Sequence, residues 1–600
     1  MLKFLLKRKD PDRLISDSEV PERRMKRSLS AFDLTALGVG ATIGAGIFAL
    51  TGTAAAGQGS GAGGTFIDTP VLNLILQGLT GGAPELGRQG AGPAIVISFL
   101  VAALACAFAA ICYAELASMI PVSGSAYTYA YATLGEIIAW IIGWDLILEY
   151  AVGNIAVATS WSGYFVEFVY NITGIRFPLW LVADIKTASA KLAEGGGGLQ
   201  MFSSTHLPVF LGHHVALNIP AFAVVAALTG LLIYGIKESA TANTVAVIAK
   251  VAIVIFFIAF GAYYVRPANW IPFAPNGFLG VMGGAAIVFF AFIGFDAVST
   301  TAEEARNPQR DMPIGMIASL AVTTLLYIGV SMVLTGMLRW SQLNDAAPVA
   351  KALREVGGAR WAQAFVSAGA LAGMTSVLLV FQLGQPRIFM AMARDGLLPQ
   401  YFAKVHPTFR TPHVTTFWTG VFVAVPALFI DIGSAAELTN IGTLFAFILV
   451  CAGVIALRRI DRQRPRPFKT PLVPLVPSIG IILCIVLMFS LPLLTWMRFY
   501  GWLRIGLMIY LGFGIMKSVM ITGEAARLEA RMISAATAAR LGLFAVLVDV
   551  SIVVLIWALH PDFFHTAEFI LFGGILLFSD AVHAWIAVSR RAAPKRESTK

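Results

Sequence analysis

The stretch Leu37-Gly-Val-Gly-Ala-Thr-Ile-Gly-Ala-Gly-Ile-Phe48 lies inside an apolar run, 33–55, long enough to cross a bilayer, yet it carries glycine at 38, 40, 44 and 46. An interior glycine costs a helix about 1 kcal/mol relative to alanine, so four within nine residues invite a break. At roughly 1.5 Å of rise per residue, Gly44 sits about 16 Å beyond Asp33, near the middle of a hydrocarbon core about 30 Å thick. Taken alone, the pattern also fits close helix packing through small residues, since Gly40 and Gly44 are four apart. It does not fit a dinucleotide-binding loop, because no strand precedes it and the spacing differs.

A second interrupted run favours the break. Gly283-Gly-Ala-Ala-Ile-Val-Phe-Phe-Ala-Phe-Ile-Gly-Phe-Asp296 places a glycine and an aspartate in the run 279–301, again near the expected midplane. With the first ten runs divided into two halves of five, runs one and six correspond. Two interrupted segments at matching positions point to an inverted-repeat transporter whose site lies at the bilayer centre. A broken helix offers free N–H groups to a carboxylate and free carbonyls to an ammonium; a zwitterionic amino acid presents both.

The rest of the chain agrees. Of 600 residues, 58% are hydrophobic and 13% charged, which no ordinary soluble domain matches. Fourteen apolar runs are expected to span: 33–55, 92–117, 135–160, 215–236, 241–264, 279–301, 313–337, 362–390, 413–431, 435–457, 473–494, 502–519, 541–559 and 567–588. Unbroken runs of this length exclude a β-barrel and predict an all-α integral membrane protein. The net charge of +10 is not gathered on a face for nucleic acid. Nine Lys and Arg lie in 1–31, six in 457–471 and five in 590–600, against one, Arg88, in 56–91; by the positive-inside rule both termini are cytoplasmic. The expected organisation is a basic cytoplasmic tail (1–31), a ten-helix core (32–458), helices 11 and 12 (459–519), a cytoplasmic amphipathic segment (520–540), helices 13 and 14 (541–589) and a second tail (590–600). Segments 56–91 and 162–214, the latter with Gly195–Gly198 and His213–His214, read as external loops, and Val71–Leu79 as a re-entrant or interfacial helix. The N-terminus shows no cleavable signal peptide, and Cys106, Cys112, Cys451 and Cys484, all within apolar runs, read as packing residues.

Ionisable residues within spans mark function by default. Lys250 lies about nine residues into the fifth span, too deep to snorkel easily. Glu149 lies in the middle of the third, with Asp145 one turn earlier; a satisfied interhelical hydrogen bond is the alternative for both. Asp296 is expected to cap the second half of span six.

With these residues the chain resembles the cationic amino acid transporter family of the amino acid, polyamine and organocation (APC) superfamily, and looks like a bacterial-type amino acid permease. The resemblance rests on residues 40–48, on Cys-Tyr-Ala-Glu-Leu-Ala-Ser-Met-Ile-Pro-Val-Ser-Gly-Ser-Ala-Tyr (112–127), Gly-Trp-Asp-Leu-Ile-Leu-Glu-Tyr (143–150), Phe-Ile-Gly-Phe-Asp (292–296) with 303–313, and Ala-Arg-Asp-Gly-Leu-Leu-Pro (393–399), and covers about 30–520. It implies a five-plus-five inverted repeat of LeuT type. It also implies a substrate-carboxylate site at Ile43, Gly44, Ala45 and Gly46, an amine site at carbonyls near Ile43, Phe290 and Ile293, and a pocket lined by Phe290, Phe295 and Val298. Lys250 matches a span-five lysine that stands in for bound sodium in proton-coupled relatives, with Glu149 as its candidate partner in coupling. Two features depart from the pattern: the 56–91 insertion is long, and bulky Phe381 stands where arginine carriers have a small residue, which points to small neutral substrates. Fourteen spans resemble the animal branch of the family and leave open a small single-span partner beside helices 13 and 14.

The resulting expectation is a multi-pass carrier in the cell (inner or plasma) membrane, taking up L-amino acids with protons by alternating access. A uniporter or exchanger of cationic amino acids is the alternative. A membrane-embedded enzyme lacks catalytic groups at one depth, because seven of the eight histidines (206, 213, 214, 406, 413, 560 and 565) sit in or beside loops and His583 lies alone; a channel is the other remote reading. No cofactor or metal motif is present.

Overall fold

The computed structural model describes residues 5–19, 27–57, 65–80, 86–122, 124–194, 202–210, 212–235, 240–357, 360–409, 411–520, 524–559 and 567–591. The expected Gly195–Gly198 run, His560, His565, residues 1–4 and 20–26 of the first tail and 592–600 of the second lie outside the described residues. A helix stands at each of the fourteen expected positions: Ala31–Thr42 with Gly46–Ala56 (span 1), Gly92–Met119, Glu136–Thr173, Ile219–Tyr234, Ala240–Ala262, Gly277–Glu304, Pro308–Met337, Arg360–Arg394, His413–Ala427, Ile432–Ile460, Leu475–Phe489, Leu493–Lys517, Glu524–Leu559 and Ala567–Arg591 (span 14). Among the described residues ten are long and apolar enough to cross a membrane, and the bent pair of span 1 makes an eleventh; Ile219–Tyr234 and Leu475–Phe489 are shorter apolar helices.

Local chemistry sets where these helices begin and end. Span 1 opens with a capping box: Ser30 N–H donates to the Asp33 carboxylate at 2.9 Å and Asp33 N–H to the Ser30 hydroxyl, so both orphan donors are satisfied. Span 3 outruns its expected end by thirteen residues and stops only at Gly174, whose φ of +71° suits a residue without Cβ and whose N–H closes on Tyr170. The amphipathic stretch 525–541 is helical and continuous with span 13 in one 36-residue helix that runs through Gly542 with no proline to stop it. Ala530, Ser534, Thr537 and Ala538 turn inward along it, and the Ser534 hydroxyl donates to Leu511 O at 2.9 Å. Val71–Thr80 is a short helix whose base is stitched to the turn between spans 11 and 12 (Val71 N–H to Leu491 O, Leu493 N–H to Thr69 O) while Leu79 stays exposed.

The two ends of the bundle differ. One, the tail face, carries residues 5–19 and 457–471; there Arg464 pairs with Asp12 at 2.6 Å. The other, the loop face, carries the described residues of 57–91 and 174–218, including the short helix Ile185–Glu194 and the strand pair Val209–Phe210 with His213–His214. Spans 13 and 14 are bolted to span 12 within the bundle: Arg504 is buried against Asp549 and Asp580, and the Tyr500 hydroxyl donates to Asp549 at 2.8 Å. All four cysteines are buried and unbridged.

The centre is governed by the glycines of span 1, each of which meets a different neighbour. A Cβ on Gly38 would strike Ser319 of span 7, on Gly40 Val247 of span 5, on Gly44 Val377 of span 8 and on Gly46 the Cα of Ala291 in span 6 at 2.3 Å. The contact with span 6 is reciprocal: Gly294, with φ of +122°, lies against Ala41, where a Cβ would come within 2.8 Å of the Ala41 carbonyl carbon. Break and close packing, alternatives from sequence alone, are therefore two uses of the same glycines.

Candidate functional site

Span 1 loses its helical bonding at Ile43, which is extended at ψ 96° and whose N–H makes the last bond of the first half, to Val39. In an unbroken helix Gly40 O would accept from Gly44 N–H and Thr42 O from Gly46 N–H. Instead, the ammonium of Lys250 donates to Gly40 O at 2.8 Å, its stem running beside Gly373 of span 8. The Tyr327 hydroxyl, from span 7, lies 2.8 Å from Thr42 O and 2.8 Å from Ala291 O, so one proton serves two acceptors, one at each break. On the far side of the bend, the N–H groups of Gly44, Ala45 and Gly46 open a new half-helix and have no carbonyl a turn earlier to bond.

Span 6 breaks in step. The turn Phe289–Phe292 ends at Ile293, whose N–H bonds back to Phe290 O at 3.2 Å, so that carbonyl already accepts one bond. Asp296 turns its carboxylate onto the N–H of Gly294 at 3.1 Å, holding the break rather than reaching outward. Ile43, Ala45, Phe290 and Ile293 are at most 5% exposed, and the second half of span 1 packs on Phe289–Phe292.

The other expected site residues are placed differently. Phe295 packs into an aromatic cluster with Tyr113 and Phe447. Val298 lies toward the tail face, next to Gly38. Phe381 packs against Tyr150 of span 3 with the rings tilted at 60° and centroids 5.4 Å apart, over Gly153. Glu149 is buried among Thr443, Asp145 and Asp296, and no ion pair joins it to Lys250 among the described residues. Asp145 is also buried, and neither of its oxygens meets a hydrogen-bond partner among the described residues. Tyr327 is the residue that sequence reasoning missed; its one signal was a phenol deep in an apolar span, which needs a partner.

Among the described residues a cavity opens on the loop face and a crevice on the tail face, and neither is lined by Ile43–Gly46, Phe290 or Ile293. The loop-face cavity, about 560 Å³, runs down to Thr53 and Gly57 of span 1 and Thr159 and Gly163 of span 3. Ion pairs tie its rim: Arg88–Glu437 at 2.8 Å, Lys191–Asp345 at 3.2 Å, Lys186–Asp431 at 3.4 Å and Arg354–Glu167. Burial works to raise the Asp345 carboxyl, but Lys191 and Lys351 outweigh it and hold that group at about 2. The tail-face crevice involves Asp12, Asp461 and Arg464. Around it Glu115 is gripped by Arg458 at 2.8 and 2.9 Å and by Thr470 N–H at 2.7 Å, and Asp395 pairs with Lys9 and accepts from the Tyr127 hydroxyl at 2.7 Å.

The sequence profile of the amino acid permease family matches residues 29–516. The chain belongs to the amino acid permease family. The permease is 45% identical over 489 residues to a branched-chain amino acid permease of Bacillus subtilis (strain 168), covering 82% of this chain and 93% of that protein. It is 43% identical over 503 residues to a methylthioribose transporter of the same organism, covering 84% and 96%, and 30% identical over 622 residues to human cationic amino acid transporter 4, covering 83% and 88%. It is thus a multi-pass membrane transporter of amino acids of APC type, not an enzyme. The matched range ends before Glu524, where the helix of span 13 begins.

Proposed function

We propose that this permease takes up L-amino acids together with protons by alternating access, from the loop face, which lies outside, to the tail face, which lies in the cytoplasm of the cell that bears it in its plasma or inner membrane. The observation that carries this reading is the bond from Lys250 to Gly40 O. A charged lysine ties span 5 to the half-helix of span 1 at a carbonyl that the break has freed; a neutral amine holds it less well. Loss and return of that proton once per cycle would let the proton gradient bias which face span 1 opens to, provided the two access states hold the charge unequally. Glu149, without an ion pair to Lys250, would act on the same step through span 3 and Asp296 rather than by direct contact.

In this reading the substrate carboxylate meets the N–H groups of Gly44–Gly46 and the ammonium meets carbonyls at Ile43, Phe290 and Ile293, with Phe381 limiting side-chain length. Small neutral amino acids are favoured. The relatives' names widen the panel to branched-chain amino acids, cationic amino acids and methylthioribose, a sugar with neither ammonium nor carboxylate. Helices 13 and 14, locked to span 12 by Arg504, present Leu543, Leu547 and Leu577 outward, the surface on which lipid or a small single-span partner would lie.

The test is uptake of labelled alanine, leucine, arginine and methylthioribose into proteoliposomes, with and without an inward proton gradient. Accumulation of a neutral amino acid driven by the gradient alone supports the reading. Arginine uptake indifferent to pH would replace it with a cationic uniporter or exchanger.

A further inference from the structure

The loop-face cavity is lined by six acidic and four basic side chains. Five of the acids are engaged: Glu437, Asp431, Asp345 and Glu167 by cations, and Asp68 by the Thr65 hydroxyl. Asp184 differs. It is 0% exposed; its Oδ1 accepts from Thr187 N–H at 2.9 Å, capping the helix Ile185–Glu194, while Oδ2 meets no hydrogen-bond partner among the described residues. A cap needs one carboxylate oxygen. The second, buried and unpaired beside a cavity, carries a desolvation cost that a donor from that cavity would remove. Asp431 and the Thr187 hydroxyl both lie close enough to act on the Asp184 carboxylate, and Asp431 holds its one cation among the described residues, Lys186, only at 3.4 Å. The floor of the cavity, at Thr53, lies about 13 Å along span 1 from Gly44.

We propose that this cavity is an entry site for the amino acid on its way to the breaks, with Asp184 receiving the ammonium group and Asp431 supporting it. The excess of acid over base selects a cationic group over an anionic one, and the free acceptor calls for a donor with several N–H bonds. The site rests on the amino acid transport reading and adds a stop that the central site does not include. An inorganic cation would offer the same charge without the N–H donors.

Asp184→Asn keeps the capping oxygen and removes the charge, and Asp184→Ser keeps a cap of another shape. Uptake of L-alanine and L-leucine into proteoliposomes should show KM raised about tenfold in both variants, with a smaller effect on the maximal rate. Equilibrium binding of the better-transported of the two to purified protein should fall from two sites per chain to one. Unchanged KM and stoichiometry in Asp184→Asn would overturn the proposal. So would a wild-type KM that improves with NaCl or CaCl2 over choline chloride and loses that dependence in Asp184→Asn, which would assign the cavity to an inorganic cation. Entry of neither amino acid through the wild-type protein would instead remove the transport reading on which the site rests.

Discussion

Lys250 donates to Gly40 O at 2.8 Å, a carbonyl available only because span 1 stops being helical three residues later. A lysine placed there couples protonation to the geometry of the break. Lys250→Met keeps the length of the side chain without its charge and should abolish uptake driven by a proton gradient, while Lys250→Arg, permanently charged, should fail as well. Accumulation of substrate against its own gradient by Lys250→Met, with only protons supplied, would place coupling elsewhere.

Gly44 and Gly46 should answer differently to substitution. Gly46 rests on the backbone of Ala291, so Gly46→Ala forces spans 1 and 6 apart, and overpacking of this kind costs about 1–3 kcal/mol; its apparent Tm should fall even without substrate. Gly44 faces the Val377 side chain, Cγ2 at 3.0 Å, rather than backbone, so Gly44→Leu should fold with a smaller loss of Tm than Gly46→Ala as Val377 gives way, yet lose substrate-induced thermal stabilisation, which any ligand bound only to the folded state produces. Stabilisation retained in Gly44→Leu would remove the carboxylate assignment.

Tyr327→Phe keeps the ring among Phe99 and Phe292 and deletes the one donor shared by the two breaks. Two buried carbonyls lose their shared partner at a cost of about 1–3 kcal/mol, so Tm should drop by a few degrees. Transport should fall by more than substrate affinity if the bond coordinates the two half-helices. Equal losses in binding and in maximal rate would reduce Tyr327 to a packing residue.

Phe381 lies on Tyr150 above Gly153. Phe381→Ser should open space beside span 3 and admit longer side chains, read as a rise in leucine and arginine competition relative to alanine. Strong arginine uptake by the unmodified protein would defeat the assignment of Phe381 as the limiting wall.

The membrane spans were legible because hydrocarbon demands apolar runs of about 20 residues, and the breaks because glycines and an aspartate interrupt two of them at matching depth. Lys250 stood out as a charge too deep to reach water. What sequence could not supply was partnership across distance. Nothing near residue 46 announces Ala291, and Tyr327 looks like one aromatic among many until the chain brings Thr42 and Ala291 to its hydroxyl. Phe295 and Val298, named as pocket walls by the family resemblance alone, pack against Phe447 and Gly38, neighbours that lie far off in sequence. The helix of span 3 runs on past the expected end at 160 because Ser160 and Ser162 are buried against neighbours and Gly174 is where it stops.

The four glycines of span 1 also restrict how that helix can move. Each is a flat keyed to a different neighbour, at spans 7, 5, 8 and 6. Rotation about the helix axis, or a slide of one residue along it, would replace a flat with Val39, Thr42 or Ile47 and jam it against a partner. Tilting about the bend leaves all four keys nearly in register. Of the rigid-body freedoms open to a helix, span 1 therefore retains chiefly the hinge, with Ala41–Gly294 and Gly46–Ala291 as the paired bearings on which spans 1 and 6 would swing as one part.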